Sequence, residues 1–405
     1  MQVDCCIAGG GPAGLMAGFL LARAGIRVAV LEKHADFLRD FRGDTIHPST
    51  LEIMRELGLL EAFLKLPHEK VATASIQFGD ETLKLASLSK LPVACPYIAF
   101  MPQWDFLNFL AGKAAKYPCF TLLHNCEALD LIEENGVVTG VKAQTPEGAL
   151  EVRARLVIAA DGRGSVLRGK AGLRAVEIGA PMDVLWFQLP RRVSDGSDVV
   201  GRIDPGRMLI RFSRGSYWQC AYIIPKGGFE QVKSAGLKAF KEKLASSAPV
   251  LADRANAIAS FDELKLLSVR VDRLERWHKP GFLCIGDAAH AMSPVGGVGV
   301  NLAVQDAVAA ANILWKPLRE GSLTDADLSR VQRRREWPAR AVQFMQVQVQ
   351  NRLIAAALRS QAVIRPPALL RLISRVPALQ NFAGRVVGLG IRREHVSAPE
   401  LAQPV

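Results

Sequence analysis

Apolar residues in this chain change their spacing several times, and each change marks an element. Near the amino terminus "VDCCIAG" (3–9) is a continuous β-prone run, "GLMAGFLLARAG" (14–25) has helical spacing with a stop at Gly25, and "RVAVLE" (27–32) is a second continuous run. Continuous runs, unlike alternating ones, belong to strands buried on both faces, so the three pieces predict a βαβ unit of a parallel sheet. Two more such runs end in acidic turns, "RLVIAADG" (155–162) and "GFLCIGDAAH" (281–290). Helical spacing recurs near 48–57, 103–116, 234–246, 301–315 and 335–362, and Pro366 and Pro367 interrupt the last stretch. Between 182 and 225, "MDVLWFQLP", "GRMLIRFSRG" and "SYWQCAYIIP" are aromatic and β-branched runs parted by Gly, Pro and Asp, the mark of antiparallel strands. The expected fold is α/β: a Rossmann-type nucleotide-binding domain in discontinuous pieces (1–75, 96–172 and 270–330), an inserted β-sheet substrate domain (76–95 and 173–269), and a C-terminal helical segment (331–405).

Composition narrows the setting. At 405 residues, 49% hydrophobic and 22% charged, the chain is long enough for a large unit plus a smaller one. Its seven cysteines lie mostly in apolar runs without CxxC spacing, as buried free thiols of a reducing cytosol do, and no cluster has metal-ligand spacing. With no leader-like start and no uninterrupted apolar run near the roughly 18–20 residues of a membrane span, a soluble, unprocessed, cytoplasmic protein is expected. The net charge of +12 is lopsided: residues 331–405 hold twelve arginines, three glutamates and neither lysine nor aspartate. Those arginines alternate with aliphatic residues and accompany no reading motif, which argues against nucleic acid. The tail either lies on anionic lipid as a peripheral membrane contact or packs on the nucleotide domain with its arginines in water. A homodimer is equally open.

In "GGGPAG", Gly9-x-Gly11-x-x-Gly14 follows a strand and opens a helix. Gly9 permits the tight turn, Gly11 lets the backbone approach a pyrophosphate, Gly14 lets helix pack on strand, and the phosphates then face the helix N-terminus beside Ala13. Glu32 ends the second strand 18 residues after Gly14, where a carboxylate accepts ribose hydroxyls, with Lys33 next to it. The turn alone serves a nicotinamide or a flavin.

Three further segments choose between them: "FRGDTIHPSTLEIMRELGL" (41–59), "IAADGRGSVLR" (158–168) and "GDAAHAMSPVGGVGVNLAVQDA" (286–307). On these the chain, from about residue 3 to 315, resembles the class A FAD-dependent monooxygenases, the para-hydroxybenzoate hydroxylase-like aromatic hydroxylases with a GR2-like FAD domain. The resemblance implies FAD, with Arg42 on its phosphates, Asp161 and Arg168 near the flavin and the nicotinamide path, Asp287 on the ribityl chain, Gln103 on the ribityl and phosphate side, and Pro294 bordering flavin and substrate. Physical reading of the third segment agrees. A Pro- and Gly-rich loop leads into a helix starting near Val300–Asn301, so the free N–H groups around Gly299, Val300 and Asn301 and the helix dipole suit an anionic isoalloxazine.

No second GxGxxG follows a strand, which fits a transient reductant, NADH or NADPH. The resemblance implies hydride transfer to FAD, reaction with O2 to a C4a-hydroperoxide, and hydroxylation of a small aromatic or polyketide- or quinone-like substrate. In the inserted sheet, Trp186 and Gln188 share one face of a strand, and Tyr217 and Gln219 alternate with Trp218, Cys220 and Tyr222; one face lines a pocket or both are packing. Arg211 pairs a carboxylate or phenolate, or is solvated. His47 is a candidate catalytic imidazole that assists substrate deprotonation, Pro294 lines the pocket, and His290 reads as a packed, hydrogen-bonded residue. Rival readings are a prenyl-chain reductase, a non-oxygenating FAD-binding partner protein, and a halogenase; the last looks for W-x-W-x-I-P, whereas Cys220 and Tyr222 stand where the tryptophans would be.

Overall fold

A computed structural model describes residues 1–38, 45–195, 200–248, 251–362 and 364–403. Its centre is a parallel sheet in which Gln2–Ala8 is flanked by Val28–Leu31 and by the carboxyl half of Gly148–Ala159, with Phe120–Leu123 and Phe282–Cys284 outside them. Ile7 is in register with Val30 on one side and Ile158 on the other, and all three are fully buried. The continuous apolar runs therefore have their physical reason: helices cover one face and further layers the other. Helix Pro12–Arg23 packs against the long helix Gly299–Glu320 and against Gln103–Ala114. The amino half of Gly148–Ala159 leaves the parallel core and pairs antiparallel with Val137–Thr145, which pairs with Glu127–Glu134.

Parallel strands deliver their carboxyl ends to one edge. Gly9, Glu32, Asp161 and Asp287 each lie one to three residues beyond such an end, so the fold itself gathers four distant segments. This is where open α/β sheets bind ligands.

A second sheet of seven strands runs in the order Lys265–Leu267, Met182–Pro190, Tyr217–Pro225, Arg207–Ser213, Val200–Asp204, Thr73–Phe78, Glu81–Ser87. One face packs on the helices Phe229–Ser234 and Leu237–Ser247 through Leu185, Phe187, Trp218, Cys220 and Tyr222. The other turns towards the nucleotide edge. The helical stretch Val295–Glu320 is long and apolar enough to cross a membrane by length and composition, but 72% of its most apolar window is buried inside the fold.

The C-terminal segment starts earlier than its periodicity predicts. Helix Asp325–Val349 opens on a capping box between Thr324 and Asp327, widens into a π-turn at Gln350–Ile354, and is followed by Ala355–Arg359, Ala368–Arg375 and Pro377–Leu389. It packs on the nucleotide unit, though not with all its arginines in water: Arg335 is fully buried because Asp306 and Glu394 neutralise it.

Candidate functional site

The glycine turn is built by close approach. Gly9 has φ +105°, and a Cβ there would lie 2.4 Å from the Ala160 carbonyl oxygen; one at Gly14 would lie 1.9 Å from the Gly9 oxygen. Gly11, by contrast, faces open space. Helix Pro12–Arg23 starts with proline and has no side-chain cap, so the N–H groups of Ala13 and Gly14 have no intrahelical acceptor and the positive helix end points into the turn. The buried Glu32 carboxylate accepts the N–H groups of Gly10 (3.0 Å) and His34 (3.1 Å), which fixes its orientation. Gly10 escaped the sequence reading, although a Cβ there would sit 3.0 Å from Glu32 Oε2.

These residues line one end of a continuous cavity of about 660 Å³, within the ~300–1,000 Å³ usual for ligand sites. Lys33, Gln103, Asp161, Asp287, Pro294, Gly299 and Val300 line it too. Asp161 accepts the N–H groups of Val166 (3.0 Å) and Leu167 (3.4 Å), capping the helix Val166–Lys170, and burial raises its pKa. Asp287 stands on a tight turn, 3.4 Å from Arg163 Nη2. Gly286 before it takes φ +60°; a Cβ there would press on Ala13 and Ala303, at 3.1 and 3.3 Å, so two helices meet over this one residue. Arg168 points away, to Asp272 and the carbonyls of Ala288 and Arg163. Arg42 lies outside the described residues.

FAD passes the test of fit. An extended dinucleotide needs an acceptor for its ribose, unhindered N–H groups for its pyrophosphate and a second positive helix end for its ring. Glu32, the open Cβ direction of Gly11 and the uncapped start of helix Gly299–Glu320 supply them along one cavity.

Two residues of the 45–50 and 299–301 segments are placed differently from expectation. The Asn301 side chain is buried and fully engaged: Oδ1 accepts from His47 N (2.8 Å) and Thr50 Oγ1 (2.7 Å), and Nδ2 donates to the carbonyls of Thr45 (3.0 Å) and Gly297 (3.4 Å). Only its backbone remains for a cofactor. His47 does not line the cavity. It is fully buried as the cap residue of helix Pro48–Glu56, with Nδ1 2.8 Å from the Val387 carbonyl oxygen, and burial lowers its pKa to about 4. Such an imidazole stays neutral near pH 7 and stands apart from the described cavity lining.

The inserted sheet divides the substrate candidates. Trp186 lines the cavity with Met208, Ile210 and Phe212 from the next strand but one, and its ring meets Phe212 edge-on at 6.1 Å. Gln219 shares that face by register but is buried, donating to the Phe187 carbonyl (3.2 Å). Gln188 is exposed, and neither it nor the half-buried Tyr217 borders the cavity. Tyr222 and Arg211 face the other way: Tyr222 packs edge-on against Phe240, and the Arg211 guanidinium lies 5.1 Å from the Trp218 ring centre. The alternation predicts two faces correctly but does not say which one the helices cover.

Sequence reasoning missed what stands behind the cavity wall. Asp306, fully buried, accepts from Gly286 N (3.1 Å) and Arg335 Nε (2.9 Å) and meets His290 Nε2 at 2.6 Å; Arg335 continues to Glu394 (3.1 Å). Gln343 Nε2 donates to the carbonyls of Asp272 and Ala291, and Gln346 Nε2 to those of Ser293 and Val295. The C-terminal helix thus grips alternate carbonyls of the loop whose Met292, Ser293 and Pro294 face the cavity.

The architecture has known counterparts. A family model described as an FAD-binding domain matches residues 2–345. The chain is 32% identical to 6-methylpretetramide 4-monooxygenase of Streptomyces rimosus, over 95% of this chain and 92% of that protein. It is 28% identical to rifampicin monooxygenase of Streptomyces venezuelae, over 77% of this chain but only 63% of that longer protein. The anhydrotetracycline hydroxylase OxyS of Streptomyces rimosus shares the fold at a TM-score of 0.75 and 24% identity, across 97% of this chain and 77% of that one. A match that spans both the glycine turn and the Gly286–Asn301 loop leads to one conclusion: the chain belongs to the FAD-binding-domain family and is a flavoprotein monooxygenase within it.

Proposed function

We propose that this monooxygenase consumes NADH or NADPH and hydroxylates a flat, largely apolar polycyclic aromatic of the polyketide or quinone type. The observation that carries this reading is the substrate half of the cavity. Beyond the nucleotide edge its described lining includes Ile76, Leu85, Ile98, Phe100, Trp186, Met208 and Phe212, and its hydroxyl-bearing members are Thr73, Ser75 and, on the facing loop, Ser293; none of these side chains is titratable. The names of the relatives, a 6-methylpretetramide and a rifampicin monooxygenase, point the same way.

When bound, FAD supplies hydride acceptance and oxygen activation. The chain's own residues do the rest. Glu32 and the glycine turn would hold the adenosine and pyrophosphate, Asp161, Asp287 and Gln103 would border the middle of the cofactor, and the N–H groups of Gly299, Val300 and Asn301 would favour negative charge at the ring. The aromatic wall of Phe100, Phe212 and Trp186 excludes water and orients a planar ligand. With His47 neutral and outside the cavity, no described side chain of the substrate half serves as a base, which favours a ring that carries its own acidic phenol or enol. The division into an FAD-binding unit and an inserted substrate unit is part of this proposal, supported by strands 73–87 and 182–267 sharing one sheet.

The test is aerobic NADH and NADPH consumption by the FAD-loaded protein across phenols, polycyclic aromatics and prenylated quinone precursors, with mass spectrometry of products. A polycyclic aromatic that accelerates consumption and gains one oxygen atom supports the reading. A hydrogenated chain would instead assign a reductase, and peroxide alone with every compound a non-oxygenating partner.

A further inference from the structure

The last helices turn one side to the cavity and leave the other uncovered. Helix Pro377–Leu389 is pressed inward at two glycines: a Cβ at Gly384 would lie 2.0 Å from the Ser87 carbonyl oxygen, and one at Gly388 2.9 Å from Leu88. Its Val387 lines the cavity. The preceding helix, Ala368–Arg375, lies on the same edge strand, where Arg371 pairs with Glu81 (2.8 Å) and Ser374 Oγ accepts the Lys84 N–H (3.1 Å).

Outward, Leu369, Leu372 and Phe382 are 65%, 51% and 67% exposed, far above what a packed helix leaves in water. Positions 368, 369, 372 and 375, then 378, 379, 382 and 385, are exposed and repeat at helical spacing, with Pro377 exposed at the start of the second helix, so each helix has one outer stripe. Arg375 and Arg385 sit on those stripes and Arg365 just before them, all exposed and without a salt bridge among the described residues. Between Ser360 and Arg393 the chain has six arginines and no acid, and the neighbouring Lys84 is exposed too. Glu81, the acid this pair touches, is taken up by Arg371.

We propose that this helix pair docks on an anionic phospholipid surface, with Leu369, Leu372 and Phe382 at the acyl boundary and Arg365, Arg375 and Arg385 among the headgroups. Charge selects this occupant over a second copy of the chain, because a two-fold interface would bring the same unpaired arginines face to face. Docking also sets the wall formed by Val387 next to lipid, from which an apolar aromatic can enter; that consequence rests on the substrate reading above, whereas the docking does not.

The experiment is co-sedimentation of the FAD-loaded, full-length protein with vesicles of phosphatidylcholine alone and of phosphatidylcholine mixed with phosphatidylglycerol, at low and high salt. Partitioning is expected only with phosphatidylglycerol, is reversed by salt, and falls roughly tenfold or more in Arg375→Glu/Arg385→Glu. The same loss is expected in Leu372→Ser/Phe382→Ser, with flavin absorbance and thermal unfolding unchanged because all four side chains are exposed. Absence of partitioning, equal binding to neutral vesicles, or indifference to both double variants would overturn the proposal. So would a dimer in light scattering that Leu372→Ser/Phe382→Ser dissolves, since it gives the surface to a second copy. No turnover enters the measurement, so its failure is separate from failure of the hydroxylation reading.

Discussion

Replacing Arg335 by methionine isolates the charge cluster behind the Gly286 turn. The side chain has no exposure, and its guanidinium lies 2.9 Å from Asp306 and 3.1 Å from Glu394, themselves buried. Methionine keeps the apolar length but takes the shared cation from two carboxylates, leaving Asp306 with His290 and Glu394 with the half-buried Arg334, a loss on the scale of the about 3–5 kcal/mol of a buried pair that loses one partner. Unfolding entropy near 2.1 cal/mol/K per residue gives about 0.85 kcal/mol/K for 405 residues, so the melting midpoint should fall by about 4–6 °C. Arg330→Met, which removes an exposed partner of Asp327, should shift it by less than about 1 °C. Because Asp306 also holds the Gly286 N–H, flavin fluorescence titration of Arg335→Met should show FAD affinity roughly tenfold weaker. The pH dependence has a definite sign. Burial opposes ionisation of Asp306, but His290 and Arg335 outweigh it and lower its pKa. A carboxylate whose pKa is depressed on folding stabilises above its unfolded value and loses that contribution as the pH falls through the folded value. With Arg335 gone the acid loss should begin at higher pH. A variant that melts within about 1 °C of the parent, or a surface control that costs as much, would refute this account of the cluster.

Three further outcomes are expected. Gly14→Ala should unfold the apo-protein at markedly lower temperature, since its Cβ meets the Gly9 oxygen at 1.9 Å, whereas Gly11→Ala, pointing into open space, should melt within about 1 kcal/mol of the parent yet lose FAD affinity in equilibrium titration. His47→Asn should leave the profile of kcat/KM against pH unchanged between neutrality and mild acid, because the imidazole with its pKa lowered to about 4 is already neutral there; disappearance of an acid limb would show that His47 titrates in turnover. Trp186→Ala should raise KM for the aromatic substrate by an amount worth about 1–3 kcal/mol with FAD affinity intact, while Tyr222→Phe, on the far face, should leave both constants as they are.

The parallel core was the most readable part of the chain, because strands covered on both faces need apolar residues at every buried position, and the carboxyl part of Gln2–Ala8 from Cys5 on, Val28–Leu31, the end of Gly148–Ala159 and Phe282–Cys284 have them. The meander Glu127–Thr145 went unread: its strands are half exposed and rich in charge, as in "EALDLIEE", so their apolar signal is thin. Helix Asp325–Val349 was placed ten residues late because Thr324 and Asp327, its capping box, stand before the arginine-rich stretch that hides the periodicity. His47 was legible as a neighbour of the cofactor motifs but not as a buried one, since the carbonyl that meets it belongs to Val387, 340 residues away. Asp306, Arg335 and Glu394 share no local spacing at all, and only the packing of the last helices on the nucleotide unit makes them a cluster.

The junction at Gly286 has a consequence for the order of events during synthesis. Helix Pro12–Arg23 leaves the ribosome early, but the helix that covers it, Gly299–Glu320, and the arginine and glutamate that lock Asp306 beneath the turn come only after most of the chain has been made. Until then the nascent amino-terminal unit shows water the apolar flank it will later bury, a state prone to association and dependent on the long-range contact for relief. Flavin capture is therefore a late step that follows synthesis of Gly299–Glu320, and a ribosome-stalled product ending before residue 299 should emerge without flavin.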